Sequence, residues 1–318
     1  MPVRPKRVEL FEALMVKLLR HLPITWASWL GGEMGAIQGR VALKGTSLWV
    51  QRLRRNITHF SGVTDPDELD RRVIAFTRRI GSFYAEYPNL QRLYASGRVE
   101  LVGGEHLDAA GRPFILLGCH IANWELIGAL ARRWGGSAVL YLPLGGGIRE
   151  KIALQARKAW PDLELIPASP NAMLGIDAVL RLDRAVNEGK NLAIFVDEER
   201  HGYVWSPSLG RSLPYAGNRW IAARLAARHN MNIVPAFVER LGLARYRIVV
   251  QPALERPQET TSQQALAWYL ADQIDERVEA WVRPRIENWY WLPYFESDLP
   301  CPMDRNAKPS SKSARRGA

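Results

Sequence analysis

Residues 114–134 read FILLGCHIANWELIGALARRW. The opening FILLGC is short and apolar, a length that suits a buried strand, whereas WELIGALARRW sets its apolar residues at helical spacing. Asn123 stands between the two, and Asn is a favoured residue at the start of a helix. The stretch therefore predicts strand, turn and helix, with His120 just past the strand and Glu125 in the first helical turn. On one regular helix, side chains five residues apart would point about 140° away from each other. His120 and Glu125 can approach only across such a break.

The same alternation repeats along the chain. VELVGG (99–104), SAVLYLP (137–143), LELIP (163–167), NLAIFVDEE (191–199), NIVPAFVERL (232–241) and YRIVVQP (246–252) are further short apolar runs. Helical patterns lie between or around them at 64–87, 148–160, 173–190, 219–230 and about 260–282. Thr64-Asp65-Pro66 is a good helix start, with Pro66 at the first helical position. Strands that alternate with helices predict an α/β fold: a mixed, largely parallel central sheet flanked by helices.

The chain has 318 residues, 47% hydrophobic and 24% charged, enough for one large domain or two small ones. Two cysteines, Cys119 and Cys301, make no disulfide framework. Cys119, inside an apolar run, reads as a small core residue. The net charge of +11 is uneven: residues 1–60 hold 10 Lys/Arg against 3 Asp/Glu, and residues 301–318 hold 5 against 1. The intervening 240 residues sum to zero. Basic ends on a neutral body fit contact with a polyanion, an anionic membrane surface or nucleic acid. The neutral middle carries no basic-aromatic groove, so nucleic acid is not expected as a partner.

No uninterrupted apolar run is long enough for a transmembrane helix, and the start does not read as a signal peptide. Residues 8–22 instead place Phe11, Leu14, Met15, Leu18, Leu19 and Leu22 on one helical stripe. Lys17, Arg20 and His21 lie off it, Arg4, Lys6 and Arg7 precede it, and Trp26 and Trp29 follow. Packing on the protein's own core would explain the stripe. The basic flank favours an amphipathic, membrane-facing segment. The expected organisation is a basic helical region over 1–60, an α/β domain over 61–300 and a basic, disordered tail over 301–318.

Ligand sites in open α/β sheets lie beyond the carboxyl ends of the strands, which is where His120 is expected. A helix N-terminus favours an ionised Glu125. A carboxylate on one imidazole nitrogen orients the ring and leaves the other nitrogen as an acceptor. Cys119 would point away from His120 along a strand, and no serine is placed as a nucleophile. The pair is suited to take a proton from a substrate hydroxyl that attacks an activated acyl group. Gly145-Gly146-Gly147 lacks the Lys-Ser/Thr of a phosphate loop and reads as a turn.

HIANWE, 120–125, resembles the H-x4-D/E motif of glycerolipid acyltransferases, in the H-x-x-N-W-E form of the bacterial late acyltransferases of lipid A biosynthesis, the lauroyl and myristoyl transferases. The resemblance runs from about residue 10 to about residue 295. RRNI (54–57), Arg157 in a helix before a short strand, VDEERHG (196–202), WIAARLAARHNMNIVPAF (220–237) and RPRIENWYW (283–291) match further family segments. The chain departs from the family in having Leu142 in Tyr141-Leu142-Pro143, where the family has arginine. It also has Asp197-Glu198-Glu199 in place of Asp-Gln-Asp.

The resemblance implies transfer of a fatty acyl chain from a thioester, on acyl carrier protein or coenzyme A, to a hydroxyl of lipid A or its precursor. It implies work at the cytoplasmic face of the bacterial inner membrane. His120 would be the general base and Glu125 its orienting partner, while Arg157 would stabilise an oxyanion or grip phosphate. Asn123 fits a helix cap at the substrate side, and Trp124 fits core or acyl-channel wall. Asp197 and Glu199 could bind sugar hydroxyls or pair with Arg219. No metal or cofactor is expected. The departures leave open another acceptor, such as a phosphatidylinositol mannoside, an ornithine lipid or a lysophospholipid. A non-catalytic lipid- or nucleic-acid-binding protein is the alternative of a different class.

Overall fold

A computed structural model describes residues 17–131, 135–141, 147–158, 162–167, 172–200, 202–257 and 262–297. Most of the 8–22 stripe, Leu142, the glycine run before Gly147, His201, Cys301 and the basic tail lie outside the described residues.

All of the apolar runs read from the sequence are strands of a single seven-stranded sheet. They are β1 (Val99–Val102), β2 (Phe114–Gly118), β3 (Ser137–Tyr141), β4 (Leu163–Pro167), β5 (Asn191–Phe195), β8 (Asn232–Gly242) and β9 (Arg245–Val250). Two short strands, β6 (Glu199–Arg200) and β7 (Tyr203–Val204), form a separate antiparallel hairpin. The sheet order is β1-β9-β8-β2-β5-β3-β4. Within it β8 and β9 pair antiparallel, and every other neighbour pair is parallel. This is the expected mixed, largely parallel α/β sheet. β2 occupies its middle, with β8 on one side and β5 on the other.

Alternate residues of the central strands feed two cores, as the two-residue period of a strand requires. Ile115, Leu117, Leu192 and Ile194 pack on one face with the apolar sides of α8 (Ala172–Asn187), α9 (Gly217–His229) and α10 (Gln263–Val282). Phe114, Leu116 and Ala193 pack on the other. There they meet α3 (Pro66–Glu86), α4 (Leu90–Ala95), α5 (Glu105–Ala109), α6 (Ile127–Ala131) and α7 (Gly147–Lys158). Burial on both faces is why these strands read as continuous apolar runs and not as alternating ones. Cys119 is fully buried in the first core, and burial pushes its thiol well up, so it is a packing residue.

α3 starts as expected, with Pro66 in its first turn and the Asp65 carboxylate accepting from the Glu68 amide. The segment after Asn123 departs from the expected continuous helix. Residues Trp124–Leu126 form a 3-10 turn, and only then does α6 begin.

Ahead of α3 lie α1 (Ile24–Leu43) and α2 (Leu48–Ser61). α1 runs along α3 with its small residues inward. Gly31, Gly35 and Gly39 face α3, whose own Gly81 fits against Gly31 and Gly35. The opposite side of α1 is apolar and open: Trp26 is 62% exposed, Ile37 56% and Val41 65%. Among the described residues, no helix is long and apolar enough to cross a membrane.

A methyl group on Gly81 would overlap the carbonyl oxygen of Gly31 and stand 2.9 Å from the α-carbon of Gly35. Both neighbours are backbone, so neither can rotate away. Gly81→Ala should therefore push α1 off α3 and cost about 1–3 kcal/mol, the usual range for overpacking. Denaturant unfolding would measure this, and an unchanged midpoint would contradict the close helix packing.

Candidate functional site

The site is assembled where β2 and β5 end. The two strands are parallel neighbours, with Gly118 opposite Phe195. Continued by two residues on each strand, the register sets His120 beside Asp197. The Asp197 carboxylate accepts from the His120 amide at 2.7 Å and sits 2.7 Å from His120 Nδ1. It also accepts from Trp289 Nε1 at 2.8 Å, and the residue is fully buried. An ionised carboxylate only accepts, so Nδ1 carries the proton and Nε2 is left as a base. The carboxylate on Nδ1 was expected to be Glu125; the structure puts Asp197 there.

Glu125 is turned elsewhere by the 3-10 turn that carries it. Its oxygens accept from Arg157 Nε at 3.0 Å and Arg157 Nη2 at 2.6 Å, and from the Tyr87 hydroxyl. The fork is bidentate, the stronger form of such a pair. Burial alone would raise the Glu125 carboxyl. The Arg157 charge and its hydrogen bonds outweigh this and hold the carboxyl below its usual value. Arg157 is raised in turn, with the pull of Glu125 overriding the cost of burial. Both groups are charged, and both line the same cavity as His120.

Asn123 makes no side-chain cap to the turn that follows it. It is fully buried, and its amide donates to Glu86 at 2.9 Å. Glu86, also fully buried at the end of α3, accepts in addition from Ser28 of α1 at 2.6 Å, from Tyr246 of β9 and from Arg240 of β8. One carboxylate thus ties the loop between His120 and Glu125 to α1 and to two strands. The carboxyl-terminal segment holds the loop from the other side. Ile121 bridges Trp289, the Tyr290 amide donates to the His120 carbonyl at 2.9 Å, and the Ala122 amide donates to the Asn288 carbonyl. Ala122 takes a left-handed backbone, with φ of 54°, to make this turn.

The cavity over His120 is lined by the charged Glu125 and Arg157 and by the apolar Ile127, Val139, Leu163 and Ala193. Trp124 is both core and wall: only 7% exposed, it lines the cavity with its ring 4.9 Å from the imidazole. Two residues expected at the site are elsewhere. Glu199 closes its own hairpin by accepting from the Gly202 amide at 2.6 Å. Arg219 is buried between α9 and α10, where it donates to the carbonyls of Pro214 and Ala271. Glu198, next to Glu199 in the sequence and in the segment between β5 and β6, lines the cavity instead.

Glu198 is 3% exposed, and its Oε1 accepts from the Asn218 amide at 2.6 Å, in the first turn of α9. Arg200 Nε lies 3.8 Å from the same oxygen, and Oε2 has no hydrogen-bond partner among the described residues. Burial pushes this carboxyl up to about 7, against the opposing pull of Arg200 and the Asn218 amide. Sequence reasoning missed Glu86, Tyr87 and Glu198 and gave no separate roles to Trp289 and Trp291. The available signals were the acidic residue at the end of an otherwise apolar helix face and the tryptophans of RPRIENWYW.

A family model described as bacterial lipid A biosynthesis acyltransferase matches residues 6–294. Among solved structures, the 1-acyl-sn-glycerophosphate (LPA) acyltransferase PlsC from Thermotoga maritima is similar over 80% of this chain and 97% of its own. The identity is 12% and the TM-score 0.38. The search of curated proteins found no match.

The raised Glu198 carboxyl makes a stability prediction. The folded state holds this proton more tightly than the unfolded chain, whose carboxyl titrates near 4.5. Stability is therefore lost as pH rises from about 4.5 to about 7 and stays lowered above that. Glu198→Gln removes the dependence. The unfolding free energy of the variant relative to wild type, from denaturant melts at each pH, should climb through that window by an amount on the order of 3 kcal/mol at most. A difference that does not vary with pH would contradict the raised carboxyl.

Proposed function

Since this chain belongs to the bacterial lipid A biosynthesis acyltransferases, we propose that it moves a fatty acyl chain from a thioester to a hydroxyl of lipid A or its precursor. His120 is the general base of this reaction. The observation that carries the assignment is the imidazole held at Nδ1 by buried Asp197, on a cavity lined by both charged and apolar side chains. The acceptor hydroxyl gives its proton to Nε2 as its oxygen attacks the thioester carbonyl carbon. The tetrahedral intermediate then collapses, the carbon–sulfur bond breaks, and the imidazolium returns the proton to the leaving thiolate. Asp197 fixes the tautomer and stabilises the imidazolium.

Arg157 is the donor for the developing oxyanion. The Glu125 fork engages Nε and Nη2 and leaves Nη1 for the substrate. A guanidinium aimed in advance by a buried partner needs no reorganisation as charge develops. Glu125 therefore works through Arg157, and apolar lining residues such as Val139 and Ala193 suit the acyl chain. The donor is acyl carrier protein or coenzyme A thioester.

The outward face of α1, with Trp26, Trp29, Ile37 and Val41, lies on the membrane at its cytoplasmic side. Exposed Lys17, Arg20, Arg40 and Lys44 meet anionic headgroups beside it. Apolar area and basic charge together are what an interfacial helix needs.

With lauroyl-coenzyme A and a lipid A precursor as substrates, His120→Ala should lose about 10²–10⁴-fold in kcat. Asp197→Asn should fall in the same range because its amide can hold the wrong tautomer. Turnover equal to wild type in either variant would remove that residue from the mechanism. The double variant Trp26→Glu/Ile37→Glu should lose co-sedimentation with anionic vesicles. Retained binding would place the contact on another surface.

A further inference from the structure

Among the described residues, four buried carboxylates line the site or hold its loop, and three of them accept hydrogen bonds on both oxygens. Asp197 holds the His120 ring and amide and the Trp289 indole. Glu125 holds the Arg157 fork and Tyr87. Glu86 holds Ser28, Asn123, Tyr246 and Arg240. Glu198 stands apart. It lines the His120 cavity, it is 3% exposed, and its Oε2 has no partner. A buried carboxylate oxygen left unpaired is costly, and such groups in folded proteins call for an explanation in function.

Helix capping accounts for half of this carboxyl. Oε1 takes the Asn218 amide at the start of α9, where the helix dipole favours negative charge. A glutamine would satisfy that amide through its carbonyl oxygen as well. Capping therefore gives no reason for the second oxygen, or for an acid at a position where ionisation is opposed by burial and by Asp197 next to it.

We infer that Glu198 is an acceptor-selecting residue: its unpaired oxygen takes a hydrogen bond from a donor group of the acceptor, a hydroxyl or an amine next to the hydroxyl that reacts at His120. This rests on the acyl-transfer reading and adds to it a chemical class of acceptor, one that carries a second hydrogen-bond donor beside its reacting oxygen. Incoming substrate supplies the missing partner, so the cost of the unpaired oxygen in the free enzyme is relieved only when the right acceptor is bound. An acceptor without that donor leaves the oxygen unpaired and is rejected.

The ionised carboxylate is the stronger acceptor, so acceptor affinity follows its titration. The groups that face Glu198 are Asp197 beside it on the same strand end, Arg200 on β6 and the Asn218 amide on α9. His120, Glu125 and Arg157 stand elsewhere on the cavity wall. They are the same residues in wild type and variant, so what they contribute is common to both.

The test measures initial rates of wild type and Glu198→Gln against the concentration of a lipid A precursor. Donor is saturating lauroyl-coenzyme A, and the pH runs from 5.5 to 8.5. Donor hydrolysis without acceptor is followed in parallel. For wild type, the acceptor KM should fall as pH rises through about 7. In Glu198→Gln the acceptor KM at pH 8 should be about ten- to hundredfold higher, and the variant-to-wild-type ratio should shrink towards acid pH. A melting temperature at or above that of wild type establishes that the variant is folded. Equal KM values with parallel pH profiles would overturn the proposal and reduce Glu198 to a helix cap. A loss confined to kcat would overturn it too. Failure of wild type to transfer or hydrolyse would instead strike the acyl-transfer reading, and the selection proposal with it.

Discussion

The parallel register of β2 and β5 is the constraint on which the site depends. With Gly118 opposite Phe195, the next residues past the two strands bring an imidazole and a carboxylate together without any further device. The resulting pair has its acid fully buried and held by the Trp289 indole. The acid cannot swing away, and the imidazole it holds has a single orientation. A slip of one residue between β2 and β5 would turn His120 to the opposite face and bury it in the core.

The loop after His120 is held from outside for a related reason. It turns sharply at Ala122, in a backbone conformation that non-glycine residues adopt at some cost. Such a turn persists only where its surroundings over-determine it. Glu86 supplies one anchor through Asn123, and the carboxyl-terminal segment supplies the other through its backbone pairing with Ile121, Ala122 and His120. Glu86 also reaches Ser28 on α1. The helix with the open apolar face and the loop after His120 therefore share one buried side chain.

The acids near the centre carry the same kind of group and do different things because their partners differ. Arginine beside Glu125 keeps it ionised and makes it a scaffold for Arg157. Glu198 faces burial with weaker compensation and titrates near neutrality. The Asp-Glu-Glu run at 197–199 divides where β5 gives way to the β6–β7 hairpin: Asp197 goes to the histidine, Glu198 to the cavity wall and Glu199 to its own hairpin. Treating that run as one acidic patch would miss all three roles.

The sequence alone determined the strands, most of the helices and the position of His120 past the end of β2. Buried strands leave continuous apolar runs, helices leave a 3.6-residue period, and caps such as Asp65-Pro66 mark where they start; all are local signals. The partner of the imidazole was not local. The five-residue spacing drew attention to Glu125, whereas Asp197 lies 77 residues away. Only the sheet order could bring it close, and no run of residues encodes which strands become neighbours. Packing likewise decided that Arg219 is buried away from the cavity, that Asn123 serves Glu86 and not a helix cap, and that Glu198 is left with one oxygen unpaired.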